Sequence, residues 1–419
     1  MVDTTRRRIL SGLAISNVPL VARAECTERT RNQSSHTRVD LISNAFPAMS
    51  HLAKVAEGCN TSNLRVAVKL TPTARQETEQ GFAMRSRCPF DAAIVSMSVF
   101  SDLFARGQLS SMSDLEASTS QAIPAHHRVT VNEKLVALAF MSNTQILYYR
   151  EDLLRKYGLP VPRNYAEMHL TAEILRKRDQ QLRFPIAQTF AKGWDCATEF
   201  TNLFVALGGR FFKPGTAEPV FDTEIGVATI ELMRKHMRFM SPNALSSNSD
   251  DVMNQLQQGR AAMGVLWASR ASRMDDAASS RVIGKIGFAA APSARPGGPT
   301  AAHLWWDGFV MPRKSKAPRD LTFQVLQYLL SPKHLESGND LAIWTSPSFR
   351  PGRFGRGVSL ATEAGAALWP VEPFFGLAHA ELGQWIPEAL AGGISAKEAL
   401  RRASSSFLRL AGERGYLLS

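Results

Sequence analysis

The sequence predicts an α/β protein built as two units. Three observations carry this. The chain has 419 residues, more than one hydrophobic core ordinarily serves. From residue 38 onward, apolar strand-like runs alternate with amphipathic helix-like runs, the order that builds a parallel sheet with helices on its faces. Finally, the apolar run "LVALAF" is broken by Ser142-Asn143-Thr144 and resumes as "QILYYR". A strand that leaves one folding unit and enters another has this form.

The elements follow in order. Residues 38–46 read as a strand and 47–58 as a helix closed by Gly58. Residues 64–72 alternate as a strand, with a helix expected over 74–87. Residues 90–98 form a buried strand, and a helix then runs to about Gly107. Beyond the polar break comes a helix closed by Gly158. Two prolines separate it from a helix capped by Asn164, with Glu167 three residues on, the spacing of a capping box. A helix ends near Gly208-Gly209, another begins at Asp222, and a third spans 249–260. A strand (261–267) follows, then "KIGFAAAP" and a Pro/Gly loop. Residues 304–331 hold a strand pair or turn, a basic loop and an amphipathic helix. The tail is mostly helical, its last helix capped by Ser395.

The first 24 residues differ. Arg6, Arg7 and Arg8, a short apolar stretch and Ala22-Arg23-Ala24 follow the order of an export signal. The arginine pair resembles a twin-arginine signal. An exported, periplasmic protein cleaved near Ala24 is expected. No uninterrupted apolar run reaches membrane-spanning length. The net charge is +12, with the basic residues scattered, which favours solvated faces over a nucleic-acid surface. A lone "GRFGRG" (352–357) is a weak RNA-binding sign. The four cysteines lack CxxC spacing. In an exported protein Cys59 and Cys88 are candidates for a disulfide, because both are expected at helix ends beside neighbouring strands. There is no G-x-S-x-G, H-E-x-x-H, P-loop or G-x-G-x-x-G behind a strand, so neither cofactor nor metal is expected, and no enzyme.

Four segments, in order, carry a resemblance: "NTQILYYREDLLRKYGLPVPRNYAEM", "LFVALGGRFF" with "VFDTEIGVATIELMRKHM", "LQQGRAAMGVLWAS", and "WWDGFVMPRKSKAPRDLTFQVLQYLLSP". Together they resemble extracellular solute-binding proteins, family 1, the sugar-binding group of bacterial ABC importers. The resemblance covers residues 38 to about 350. It departs at Trp305-Trp306-Asp307, where the family usually has glycines before an aromatic. It implies a two-lobed periplasmic-binding-protein fold, type II, with a ligand cleft between lobes and about three crossings. These would fall near Ser142-Asn143, near Ala291-Pro292 and between Ser331 and Pro347. The first lobe would comprise 38–142 plus 285–335, and the second 143–284 plus 336–419.

The resemblance also implies a monomer that captures a sugar or polyol and delivers it to an inner-membrane permease by hinge closure. Such a ligand presents hydroxyls for planar polar groups and a C–H face for indole rings. Candidate contacts are Asn44 and Ser96 at strand ends, Asn143 at the crossing, Trp194 and Asp195 before a helix, and Trp267 ending a strand. Trp306, Asp307 and Arg350 complete the set. Neighbouring Trp305 and Trp306 must point to opposite sides of a strand, one to the core and one to the cleft. Phe374 and Phe375 read as packing. An anionic solute such as a glycerol phosphodiester, suited by the basic charge and Arg350, is an alternative. A carbohydrate hydrolase is a further one.

Overall fold

The computed structural model describes residues 36–416, apart from 85, 120, 121, 347, 348, 351, 371 and 373. The export-signal residues lie outside the described residues.

The first lobe opens with β1 (Thr37–Ser43), α1 (Pro47–Glu57), β2 (Leu64–Leu70), α2 (Ala74–Ala83), β3 (Ala92–Ser96) and α3 (Met97–Ala105). A short α4 (Ser113–Ala117) and the strands β4 (Arg128–Val131) and β5 (Lys134–Asn143) follow. The second lobe takes β6 (Gln145–Arg150), α5 (Glu151–Tyr157), α6 (Tyr165–Arg178), β7 (Ile186–Gln188) and α7 (Trp194–Ala206). It continues with α8 (Glu224–Met237), α9 (Ser249–Gln257), β8 (Met263–Trp267) and β9 (Ile286–Ala290). The chain then supplies β10 (His303–Val310), α10 (Arg319–Leu329), α11 (Pro332–Glu336) and β11 (Ile343–Trp344). It ends with α12 (Arg356–Glu363), β12 (Ala367–Leu368), α13 (Phe375–Leu390) and α14 (Ala396–Glu413).

Two sheets result. The larger has the order β11-β5-β10-β3-β1-β2, with β4 on β5 and β12 on β10. The βαβ units make β1 parallel to β2 and β3, while β10 runs antiparallel to both β3 and β5. The smaller sheet has the order β7-β8-β6-β9. Apolar clusters cover both faces of each sheet, which is why the central strands read as continuous apolar runs.

The polar break is the first crossing. β5 ends at Asn143 in the large sheet and β6 begins at Gln145 in the small one, with Thr144 alone between them. Asn143 Oδ1 accepts from the Thr144 and Ser269 amides at 3.1 and 3.3 Å. Its Nδ2 donates to Ser269 Oγ at 3.3 Å. A polar residue is needed here because a chain passing between sheets leaves ladder groups without strand partners.

The second crossing differs from expectation. β9 pairs with β6 in the small sheet, so residues 286–290 belong to the second lobe rather than the first. Residues 291–302 stay with that lobe: Ser293 bridges to Asn164, and Ala291, Ala301 and Ala302 are in its core. The chain crosses within β10. His303 and Leu304 pair with β12, and from Trp305 onward the strand pairs with β5. A long loop with its own core contacts carries no hydropathy break at the point of crossing, so the boundary was misplaced. Residues 336–344 also depart from the expected division, since β11 pairs with β5 in the large sheet. The third crossing lies between Thr345, whose amide donates to Phe140, and Arg353, which pairs with Asp275 and donates to the Ile286 carbonyl. The "GRFGRG" arginine Arg353 is therefore tied into the second lobe.

The Asn164 cap forms as expected, accepting from the Glu167 amide at 2.9 Å, and Ser395 caps α14. Thr223, not Asp222, caps α8. The 74–87 helix stops at Ala83. The Cys59–Cys88 disulfide does not form: Cys59 is disulfide-bonded, whereas Cys88 and Cys196 are free and buried. Cys59 packs in the apolar cluster on one face of the large sheet and Cys88 in the cluster on the other.

Candidate functional site

A cleft of about 780 Å³ lies between the lobes, lined by residues of both. Its base is aromatic. Trp194, Trp267 and Trp305 contact one another, with ring centroids 5.5 to 5.9 Å apart. Trp369 lies 4.1 Å from Trp305. Trp305 and Trp369 are buried beneath, while Trp194 and Trp267 are half-buried. Each indole comes from a different element end: Trp194 opens α7, Trp267 ends β8, Trp305 lies in β10 at the crossing, and Trp369 follows β12. Ends of strands and starts of helices converge at such clefts in α/β proteins.

Trp194 is placed by a close backbone approach. Gly193, at φ 96°, turns the chain into α7. Its amide donates to the Gly383 carbonyl at 3.0 Å. A Cβ on Gly383 would stand 2.3 Å from the Gly193 carbonyl oxygen, closer than any packed contact. Gly383→Ala should therefore destabilise the protein by about 1–3 kcal/mol and alter the tryptophan fluorescence. Urea unfolding followed at the indole emission checks both.

Polar groups share the lining with the rings. In the first lobe, Arg75 Nη2 lies 3.1 Å from Asp102 Oδ2, and Ser96 Oγ lies 3.1 Å from Ser98 Oγ. In the second, Arg270 Nη1 lies 2.6 Å from Asp250 Oδ1. Burial drives the His379 imidazole down to about 3, so it stands neutral, with Thr198 Oγ1 at 3.2 Å. Asp307 is half-buried, and burial raises its carboxyl to about 7.

Of the nine expected contacts, Asn44, Ser96, Asn143, Trp194, Trp267 and Asp307 line the cleft. Three do not. Trp306 points to the other face of β10, where its ring lies 5.1 Å from Phe100 in the first lobe; Trp305 takes the cleft position. Arg350 is exposed in the third crossing, its Nη1 donating to the neighbouring Phe349 carbonyl at 3.1 Å. Asp195 sits in the first turn of α7, just outside the lining. Burial raises its carboxyl to about 6, with Arg270 pulling the other way. Sequence reasoning missed Arg75, Asp102, Asp250 and Arg270, charged residues on helices and turns that read as solvent-facing. It also missed Trp369, whose "LWP" context in a helical tail gave only a weak loop signal, and read Phe375, which lines the cleft, as packing alone.

Behind the rings, Glu199 of α7 is buried. It accepts from Gln145 Nε2 at 2.7 Å, Gln188 Nε2 at 2.5 Å and Thr189 Oγ1 at 2.5 Å. Asn202 Nδ2 donates to Gln145 Oε1 at 2.7 Å, and Asn202 Oδ1 meets His303 Nδ1 at 2.6 Å. This chain of bonds joins the start of β6 to the start of β10, the two strands at the first and second crossings.

The bacterial extracellular solute-binding protein model matches residues 100–335, more than half of the chain. The protein belongs to this family. A relative in Deinococcus radiodurans, a probable ABC transporter-binding protein, is 28% identical over 211 residues. The mannitol-binding protein of Pseudomonas aeruginosa is 26% identical over 209 residues. Each match spans 48% of this chain and 48% of the relative, about half of the length of the curated relatives. The fold matches over a far larger share. An ABC transporter solute-binding protein of Agrobacterium radiobacter K84, solved with ribitol, superposes with a TM-score of 0.76 at 21% identity. It covers 90% of this chain and 99% of that one. The two lobes and the cleft between them are thus those of a solute-binding protein. In this member, the arrangement can stack a flat apolar surface on the indoles and hydrogen-bond a polar edge from both walls.

Proposed function

We propose that the protein is the periplasmic receptor of an ABC importer, and that it holds a sugar or polyol in the interlobe cleft. The observation that carries this is the indole floor, set in a cleft wide enough for a small solute and walled by paired polar groups from both lobes. An aromatic floor suits the C–H face of a polyhydroxy compound, and fixed carboxylate, guanidinium and hydroxyl groups suit its edge. Relatives that take mannitol and ribitol support the same class. Binding drives lobe closure about the crossings, and the closed monomer docks on its permease. Binding rather than bond-breaking is the mechanism. The anionic alternative loses support because Arg75 and Arg270 are each paired with a carboxylate in the same cleft, and because Arg350 lies outside it.

The test is a thermal-shift screen with ribitol, mannitol, sorbitol, glucose and maltose. A true ligand at a hundredfold excess over its Kd should add about 2.7 kcal/mol of stability, read as a clear rise in Tm. A flat response across all five would remove the sugar and polyol reading.

A further inference from the structure

The cleft is acidic although the protein is basic. Its lining carries Asp102, Asp250, Asp307 and Glu372 against Arg75 and Arg270, within a chain of net charge +12. Both arginines are neutralised by ion pairs at 3.1 and 2.6 Å, with Asp102 and Asp250. Neutral His379 adds no positive charge. Two carboxylates are left over. Glu372 is exposed at the rim. Asp307 stands inside, and among the described residues none offers it an ion pair or a side-chain hydrogen bond.

The position of Asp307 relative to the rings gives this surplus a direction. Trp305 and Asp307 are two apart on β10, so their side chains share one face of the strand. Their backbones are about 7 Å apart along it, two rises of about 3.4 Å. The carboxyl group and the indole of Trp305 thus line the same cleft from one strand face. Ring faces carry negative electrostatic potential and attract cations. A carboxylate held in such a site gains more from a cation than from a neutral hydroxyl, because charge-assisted hydrogen bonds are the stronger kind. Burial of Asp307 without a counter-charge raises its carboxyl to about 7, and a bound cation would reverse that cost.

Resting on the sugar or polyol reading above, we propose that the solute carries a protonated amine, as an amino sugar or amino polyol does. Its ammonium group pairs with Asp307 and its carbon skeleton lies over the half-buried Trp194 and Trp267. Asp307 is then the specificity-determining residue, and Glu372 adds a second negative charge at the mouth that favours entry of a cation.

The test is calorimetric titration of the purified protein with matched sets: glucosamine, glucose and N-acetylglucosamine; and glucamine and sorbitol. In at least one set the amine should bind more tightly than the hydroxyl analogue by about tenfold or more, a difference of about 1.4 kcal/mol. N-acetylation, which removes the charge, should abolish that advantage. The advantage should shrink as sodium chloride is raised. Asp307→Asn should bring the amine-to-hydroxyl ratio close to one, and Glu372→Gln should lower it less. Circular dichroism and the unfolding midpoint verify that each variant is folded; should Asp307→Asn fail to fold, the salt series and the N-acetyl comparison on the unaltered protein decide. Neutral members binding as tightly as their amines would overturn the amine proposal and leave the receptor function standing. No binding by any member would overturn the amine proposal, and a flat thermal-shift screen beside it would overturn both.

Discussion

Trp305→Ala should lower stability by about 3–5 kcal/mol, the range for emptying a large buried aromatic site, and remove ligand binding with it. The side chain is 5% exposed. It contacts Trp194, Trp267 and Trp369 at centroid distances of 5.9, 5.5 and 4.1 Å, so its loss leaves three indoles facing a void that cannot close without moving a crossing strand. Trp305→Phe, which keeps a ring, should recover more than half of the lost stability. Trp306→Ala is the control. It also removes an indole, but from the first-lobe face against Phe100, so it should lower the unfolding midpoint without weakening the ligand by more than about twofold. Denaturant unfolding and titration of the three variants separate these outcomes. Equal loss of affinity in Trp305→Ala and Trp306→Ala would contradict the assignment of faces.

The second large effect belongs to Glu199. Removing its carboxylate in Glu199→Ala leaves donors on Gln145, Gln188 and Thr189 without their acceptor. An unmatched buried polar group costs about 1–3 kcal/mol, so a loss of about 3 kcal/mol or more is expected. The pH dependence has a definite sign. Burial raises the folded-state value to about 7, from an ordinary 4.5, against the pull of the three donors. The folded protein therefore holds this proton more tightly than the unfolded chain does. Its contribution to stability is complete below about pH 4.5 and is lost as pH rises through about 7. Asp195 and Asp307, raised to about 6 and about 7, slope the same way, so the comparison must be with a variant. Glu199→Gln should show a flatter stability curve between pH 4.5 and 7 than the unaltered protein. A steeper curve, or one of opposite slope, would mean that the network holds an ionised carboxylate throughout.

The fold was legible where local chemistry repeats. Strand-helix alternation gave the parallel part of the large sheet. Asn164 with Glu167 gave a helix start, and the interruption at Ser142–Thr144 gave the first crossing because it places polar residues in an apolar run. The second crossing was not legible because β10 runs unbroken from one lobe into the other, and no polar run interrupts it at Leu304-Trp305. The Trp305 and Trp306 assignment was within reach. With Asp307 in the cleft, the two-residue period of a strand requires Trp305, not Trp306, beside it. Long-range pairs such as Arg75 with Asp102 and Arg270 with Asp250 have no signature along the chain, since each half looks like an ordinary surface charge. Arg350 was placed by resemblance alone, and it is not among the residues that line the cleft.

β10 has a mechanical consequence. The strand that furnishes the indole at the bottom of the gap is also one on which the halves would pivot, and it is bonded to Asn143 on the neighbouring crossing strand. Material near an axle travels little when the arms swing. Trp305 would therefore greet a guest in nearly the same pose whether the jaws stand apart or together, while Asp102 and Asp250, on opposite arms, would make a combined grip only at the end of such a stroke. A fragment that covers the rings but lacks reach should then dock without shutting the jaws, and occupancy and signalling to the transporter could be uncoupled by the length of the guest alone.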